Sequence, residues 1–343
     1  MTPSLSSPLT AEGIAPVTHL GVTSVPGDVL GWLIDLWSDL LGSIGEEFGI
    51  EMLQYGFMHR AFLVGFLIAV MAPLIGTFLV HRQLALIGDA LAHTAFAGVA
   101  VGLFVNAVLG TGISPYLTAV IVAMIAALAI ELISEVTDAY NDVSMAIVLS
   151  TGFALGAVLI SLNAGGLAVG INQFIFGNLA TVSRSNTMIL IGLFTVVVLV
   201  VTTTYKQLLY VTFDETAARV AGLNVPWYNR VMTMLTAMVV VGAMQIMGVI
   251  LVAAMLVVPV AGATQLARSF REALLGSIIL AELAVLVGIT LSFQYEATAG
   301  GTIVLVAVAL YIGMVLLGKV QSQLPVNNER RVSDTVEKEQ SAD

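Results

Sequence analysis

The chain has 343 residues, of which 58% are hydrophobic and 10% charged, and its mean hydropathy is +1.00. That balance describes a polytopic helical membrane protein, and the absence of cysteine excludes disulfides, thiolate metal sites and a cysteine nucleophile. Acids outnumber bases 22 to 12, with only three lysines, so nucleic acid is excluded as a partner and the surface would suit a high-salt cytoplasm.

Residues 1–27 are rich in Ser, Thr, Pro and Gly and lack the basic start and apolar run of a signal peptide, which predicts a disordered leader. From 28 to 59 a surface region follows. Asp28, Asp35, Asp39 and Glu46 recur every four or seven residues, with Trp32, Leu33, Leu36, Leu40 and Leu41 on the other side, so an amphipathic helix lying along the membrane is expected. The membrane domain is expected over 60–318. Ala61 to Val80 is free of charge and reads as the first span despite Pro73. His81 and Arg82 make a turn into the second span, which runs to Phe104. A third opens at Ser114-Pro115 and ends near Ile133, with Glu131 placed to snorkel. Asn141 and Asp142 are positioned to cap a fourth, Val143 to Leu162. Gly98/Gly102 and Gly152/Gly156 are each GxxxG, which lets helices approach closely.

Between Asn163 and Asn186 a Gly-rich segment is too broken for a full span and predicts a re-entrant or half helix. Thr187 to Tyr205 is the fifth span. The polar connection Lys206 to Arg230 contains FDETAARVAGLNVP, a short surface helix stopped by Gly222 and Pro226. Its basic residues place it in the cytoplasm. Val231 to Leu266 is too long for one span and fits a span plus a shorter returning one. Ala273 to Phe293 and Thr302 to Leu317 complete an all-α bundle of about nine spans, or eight if 231–266 is one long bent helix. Residues 319–343 are expected to be a disordered cytoplasmic tail.

The second span carries Asp89 and His93, four residues apart and about 40° apart on one helix face, within reach of one small cation. Ala85, Ala92, Ala97 and Ala100 leave room beside them. Counted from Gln83, His93 lies roughly 15 Å deep, near the middle of a 30 Å slab. An ionised Asp there costs roughly 3 kcal/mol and needs a partner or a wet path. Two readings stay open: a metal or proton site, or a polar pair that ties this helix to itself or to a neighbour. Glu282 lies mid-span and either lines a pathway or pairs with a neighbour. His59 and His81 are expected to be solvated at membrane ends, and Met244, Met247 and Met255 to be packing.

Several chemistries fail. Gly313 to Val320, GMVLLGKV, imitates a phosphate loop but ends in Val where a Mg²⁺-binding hydroxyl is required, so the chain is not itself an ATPase by that means. Ile87-Gly88-Asp89 suggests an intramembrane aspartyl protease, yet a second aspartate in another span is missing. Neither an HExxH helix nor a nucleophile elbow is present.

Four stretches carry a resemblance: FLVHRQLALIGDALAHTAFAGVAVG, NQFIFGNLATVS, FDETAARVAGLNV and MGVILVAAMLVVPVAGATQLAR. With them, the region from Arg60 to Leu317 resembles the membrane permease subunit of ABC importers for zinc, manganese or iron. The first and last stretches are the specific ones, residues 1–50 lie outside, and Thr298 stands where relatives usually carry proline. The resemblance implies a homodimer in the cell membrane, separate cytoplasmic ATPase subunits and an external metal-binding protein. It implies no permanently bound cofactor, with Zn, Mn or Fe as the transported ion. Asp89 and His93 would be half of a metal site completed by the second copy, and Asp214, Glu215, Ala218 and Gly222 would belong to a helix that couples to the ATPase. A proton-coupled secondary metal transporter using the same two residues is the alternative.

Overall fold

The computed structural model describes residues 27–137, 141–162, 174–179 and 182–323; the expected leader up to residue 26, the tail from 324 and most of the Gly-rich segment lie outside these. Helix α1 (Gly27–Phe48) and a short 3-10 turn (Glu51–Gln54) precede α2 (Gly56–His81), α3 (Ile87–Leu109), α4 (Pro115–Thr137) and α5 (Asn141–Leu162). Then come α6 (Arg184–Phe213), the short α7 (Glu215–Val220), α8 (Val225–Met247), α9 (Val249–Ala263), α10 (Phe270–Tyr295) and α11 (Ala299–Gln323). No strand occurs among the described residues.

Seven of these helices are long and apolar enough to cross a bilayer, and eight if α8 and α9 count as one span bent by 119°. The expected nine is therefore not met. The difference is α9: its 15 residues reach only about 22 Å at 1.5 Å per residue, short of a 30 Å hydrocarbon core. The break falls at Gly248, whose φ of 78° is open to glycine and strained for other residues.

Basic residues sort the bundle's two ends. Arg82 meets Glu215 and Asn229, Arg230 meets Glu135, and Phe270 packs on Phe78 and His81. These contacts gather Arg82, Arg219, Arg230, Arg268 and Arg271 at one end. At the other end Arg60 donates to the carbonyl of Val182 and Arg184 to Asp35. The positive-inside rule puts the first end in the cytoplasm.

Small residues set the close crossings in the bundle. A Cβ on Gly98 would strike the backbone of Ala119, and one on Gly152 would strike Thr94. Both GxxxG pairs thus lie where α3 meets α4 and α5. In α2, Pro73 is absorbed without ending the helix, and the Thr77 hydroxyl bonds the Pro73 carbonyl at 2.7 Å.

Several sequence expectations change here. In α1 the face toward the bundle is Ile34, Trp37, Leu41 and Ile44, with the Trp37 indole donating to the His59 carbonyl at 2.9 Å, whereas Trp32, Leu33, Leu36 and Leu40 are exposed. His59 is buried, its Nε2 2.6 Å from the Leu53 carbonyl, and His81 bonds the Thr77 carbonyl and stacks near Phe213 and Phe270. Neither is a solvated imidazole. Glu131 does not snorkel: it accepts the Thr233 hydroxyl of α8 at 2.7 Å. Asn141 and Asp142 are the first residues of α5 and lie inside its opening turn. Met244, Met247 and Met255 are buried packing groups.

Candidate transport site

α2 ends at Arg82, Gln83 takes a left-handed φ of 59°, and the chain re-enters a helix only at Ile87. The pair therefore sits in the first two turns of α3, where the sequence had suggested one continuous helix from Gln83. Its depth comes from packing. Gly76 of α2 and Gly88 of α3 both rest on Leu256 of α9. Asp89 thus lies about as deep as Gly76, roughly 8 Å in from the end of α2 at 1.5 Å per residue, and His93 lies one turn further.

Asp89 Oδ1 and His93 Nε2 are 3.6 Å apart, too far for a firm hydrogen bond and close enough to share a ligand. The opening half of α3 is otherwise buried: Ile87, Gly88, Ala90, Leu91, Ala92, Thr94, Ala95 and Phe96 all pack inward. Against that background the side chains of His93 and Asp89 keep 22% and 39% of their surface, beside the exposed Leu86. His93 Nδ1 has no hydrogen-bond partner among the described residues. The imidazole is held instead by the edge of Phe153 on α5, ring centroids 5.5 Å apart at 82°. Such an aromatic contact is worth about 1 kcal/mol. Should the pair hold a divalent cation, Phe153→Ala would weaken its binding by roughly five-fold, measured by equilibrium dialysis with Mn²⁺, while purification yield stays at the wild-type level.

No group of three or more His, Asp or Glu side chains that could hold a metal ion occurs among the described residues, so Glu282 does not join this pair. Glu282 Oε1 is buried on α10 and unpartnered among them. Among the described residues one chain therefore offers a cation one carboxylate and one imidazole here.

The remaining predicted residues form a separate feature at the cytoplasmic end. Asp214 caps α7, its Oδ1 accepting the Ala217 amide at 2.8 Å. Ala218 is buried in a small core with Val211 and Val225, and Gly222 closes the helix at a φ of 83°. Glu215 faces Arg82 and Arg219. Sequence reading had passed over Arg82 as a turn residue; its partners are 133 and 147 residues away in sequence, so no local signal marks it.

A bundle of apolar helices with a polar pair opening from one of them, and a short capped helix at the cytoplasmic end, defines a multi-pass helical membrane protein. Residues 54–318 match the model of the ABC 3 transport family, and the chain belongs to that family. It is similar to the manganese transport system membrane protein MntC of Halalkalibacterium halodurans, 32% identical over 76% of this chain and 87% of that one. It is also similar to the manganese import system permease protein ScaB of Streptococcus gordonii, at 29% identity over 78% and 93%. Among solved structures, PsaBC from Streptococcus pneumoniae in complex with Fab superposes with a TM-score of 0.69 at 28% identity, covering 78% of this chain and 94% of that one. These findings agree with the resemblance read from the four sequence stretches.

Proposed function

We propose that this chain is the membrane permease subunit of an ATP-driven importer for a divalent transition-metal ion. It would act as a homodimer with separate ATPase subunits and an external metal-binding protein. The observation that carries the reading is the open Asp89–His93 pair on an otherwise buried stretch of α3. In a lone chain this opening would bring a carboxylate toward hydrocarbon, at a cost of roughly 3 kcal/mol on insertion scales. A second copy related by a twofold axis covers it and turns two ligands into four, the number Zn²⁺ commonly takes. Oxygen and imidazole ligands suit Zn²⁺, Mn²⁺ and Fe²⁺ alike, and the manganese named for the relatives favours that ion as first cargo to test.

In this reading α7, with Asp214, Glu215, Ala218 and Gly222, docks into the ATPase, because a permease without a phosphate loop must receive its energy through a contact of that kind. Glu282 is a pathway residue, and α1 lies along the external membrane surface through its exposed Trp32, Leu33, Leu36 and Leu40.

Proteoliposomes test the energy source. With the cognate ATPase inside, and Mn²⁺ and the external metal-binding protein outside, uptake is expected only when ATP is present. Uptake driven by a pH gradient in vesicles lacking the ATPase would overturn this reading in favour of a proton-coupled carrier.

A further inference from the structure

Arg82 lies at the cytoplasmic end of α2, yet its side chain keeps only 9% of its surface. Its Nη2 donates to Glu215 Oε1 of α7 and, at 2.8 Å, to Asn229 Oδ1 of α8, while Nη1 lies 3.8 Å from Met232 Sδ. The head group lines a cleft of about 220 Å³ between α4, α7 and α8. Two further ties fasten the walls of that cleft: Thr233 to Glu131 at 2.7 Å, and Arg230 to both oxygens of Glu135 at 2.7 and 2.8 Å. A long basic side chain at a membrane end normally extends into water. This one is turned inward and pinned by two helices that do not adjoin it in sequence.

On its backbone side Arg82 opens the link to α3, and that link is short and stiff. Gln83 occupies a left-handed conformation that L residues rarely adopt. The Leu84 amide bonds back to the Leu79 carbonyl at 2.9 Å, and the Ile87 amide to Leu84 at 3.1 Å. The Ala90 amide, next to Asp89, bonds to Leu86 at 3.1 Å. A short hydrogen-bonded link thus joins Arg82 to the first turn of α3, and Asp89 lies in that turn.

We infer that Arg82 is a positioning residue that transmits movement of α7 to the Asp89–His93 pair. This rests on the proposed roles of α7 and of the pair. It adds the route between them: Glu215 to Arg82, then through the left-handed turn into α3. A static staple would behave differently. Losing a staple lowers stability and uptake together, whereas losing a transmitting link changes how much metal moves per ATP hydrolysed.

The test uses the permease co-reconstituted with its cognate ATPase and supplied with the external metal-binding protein, with Mn²⁺ uptake and phosphate release measured in the same vesicles. Arg82→Gln is expected to lower Mn²⁺ transported per ATP about ten-fold, within the range seen for mutations along coupling routes. Mn²⁺ binding by equilibrium dialysis and co-purification with the ATPase should stay at wild-type levels. The conservative variant Arg82→Lys, which keeps a cation beside Glu215, is expected to recover most of the lost ratio. A wild-type ratio in Arg82→Gln overturns the inference, and so does a loss of assembly that Arg82→Lys does not repair, because Arg82 would then serve folding. Asp89→Ala run in parallel keeps the failures apart: normal uptake by that variant sinks the proposed metal site, while an uptake-dead Asp89→Ala beside a fully coupled Arg82→Gln sinks only the route.

Discussion

Asp89→Ala and His93→Ala are each expected to reduce Mn²⁺ uptake by on the order of 100-fold or more, since removing a ligand from a metal's coordination shell exceeds the 10- to 100-fold effect of disturbing the groups behind it. The same substitutions should leave the fold nearly untouched. The two side chains are 3.6 Å apart and partly open, and His93 meets α5 through the edge of Phe153, a contact worth about 1 kcal/mol. Truncating them therefore strands no buried hydrogen-bond partner and costs at most that contact and a partly open space, well short of the large losses of stability. If the site is shared across a twofold axis, each substitution removes two ligands of four, so a mixed dimer with one wild-type copy should retain an intermediate affinity. Uptake is measured with radioactive ⁵⁴Mn in vesicles, and assembly by size-exclusion chromatography of the purified complex. Wild-type uptake in both variants would remove the assignment, and loss of monodisperse protein in both would make the pair a structural tie.

The pair was legible in the sequence because it needs only the helical repeat: residues four apart share a face whatever surrounds the helix. What surrounds it was not legible. The packing of His93 on Phe153 brings together residues from α3 and α5, and the depth of the pair follows from Gly76 and Gly88 sharing Leu256. The same limit explains α1. Its periodicity correctly marks a helix, but the exposed Trp32, Leu33, Leu36 and Leu40 are as many as the inward Ile34, Trp37, Leu41 and Ile44, so apolar content alone does not say which face meets the bundle. His59 and Glu131 were misread for a related reason: a polar group near a membrane end has water as its default partner, and only the fold reveals that the Leu53 carbonyl and the Thr233 hydroxyl replace it. By contrast, the short helix α7 and its stop at Gly222 are local chemistry, legible in the sequence at the right residue.

The break between α8 and α9 shows how strongly backbone packing can constrain single positions. There three segments meet with no room for a side chain. A Cβ on Gly177 would collide with the Ile246 carbonyl, one on Gly248 with the Ile175 carbonyl, and one on Gly300 with the Met247 carbonyl. Two of the three also have positive φ, 71° at Gly177 and 78° at Gly248. In each case the obstacle is a carbonyl within or beside a helix, which no rotamer change can move aside. Gly177→Ala and Gly248→Ala are therefore expected to destabilise the chain by about 3 kcal/mol or more, combining a left-handed penalty of roughly 1–2 kcal/mol with the separation of packed backbones. Gly222→Ala supplies the control, because φ there is 83° but nothing lies within 4 Å of the added carbon. It should bear the conformational penalty alone, about 1 kcal/mol. Thermal unfolding of the detergent-solubilised protein, followed by loss of monodispersity, is expected to rank Gly222→Ala close to wild type and the two junction variants far below it. Equal melting of all three would mean that the junction opens at little cost, and the bend at Gly248 would then be a hinge in place of a fixed corner.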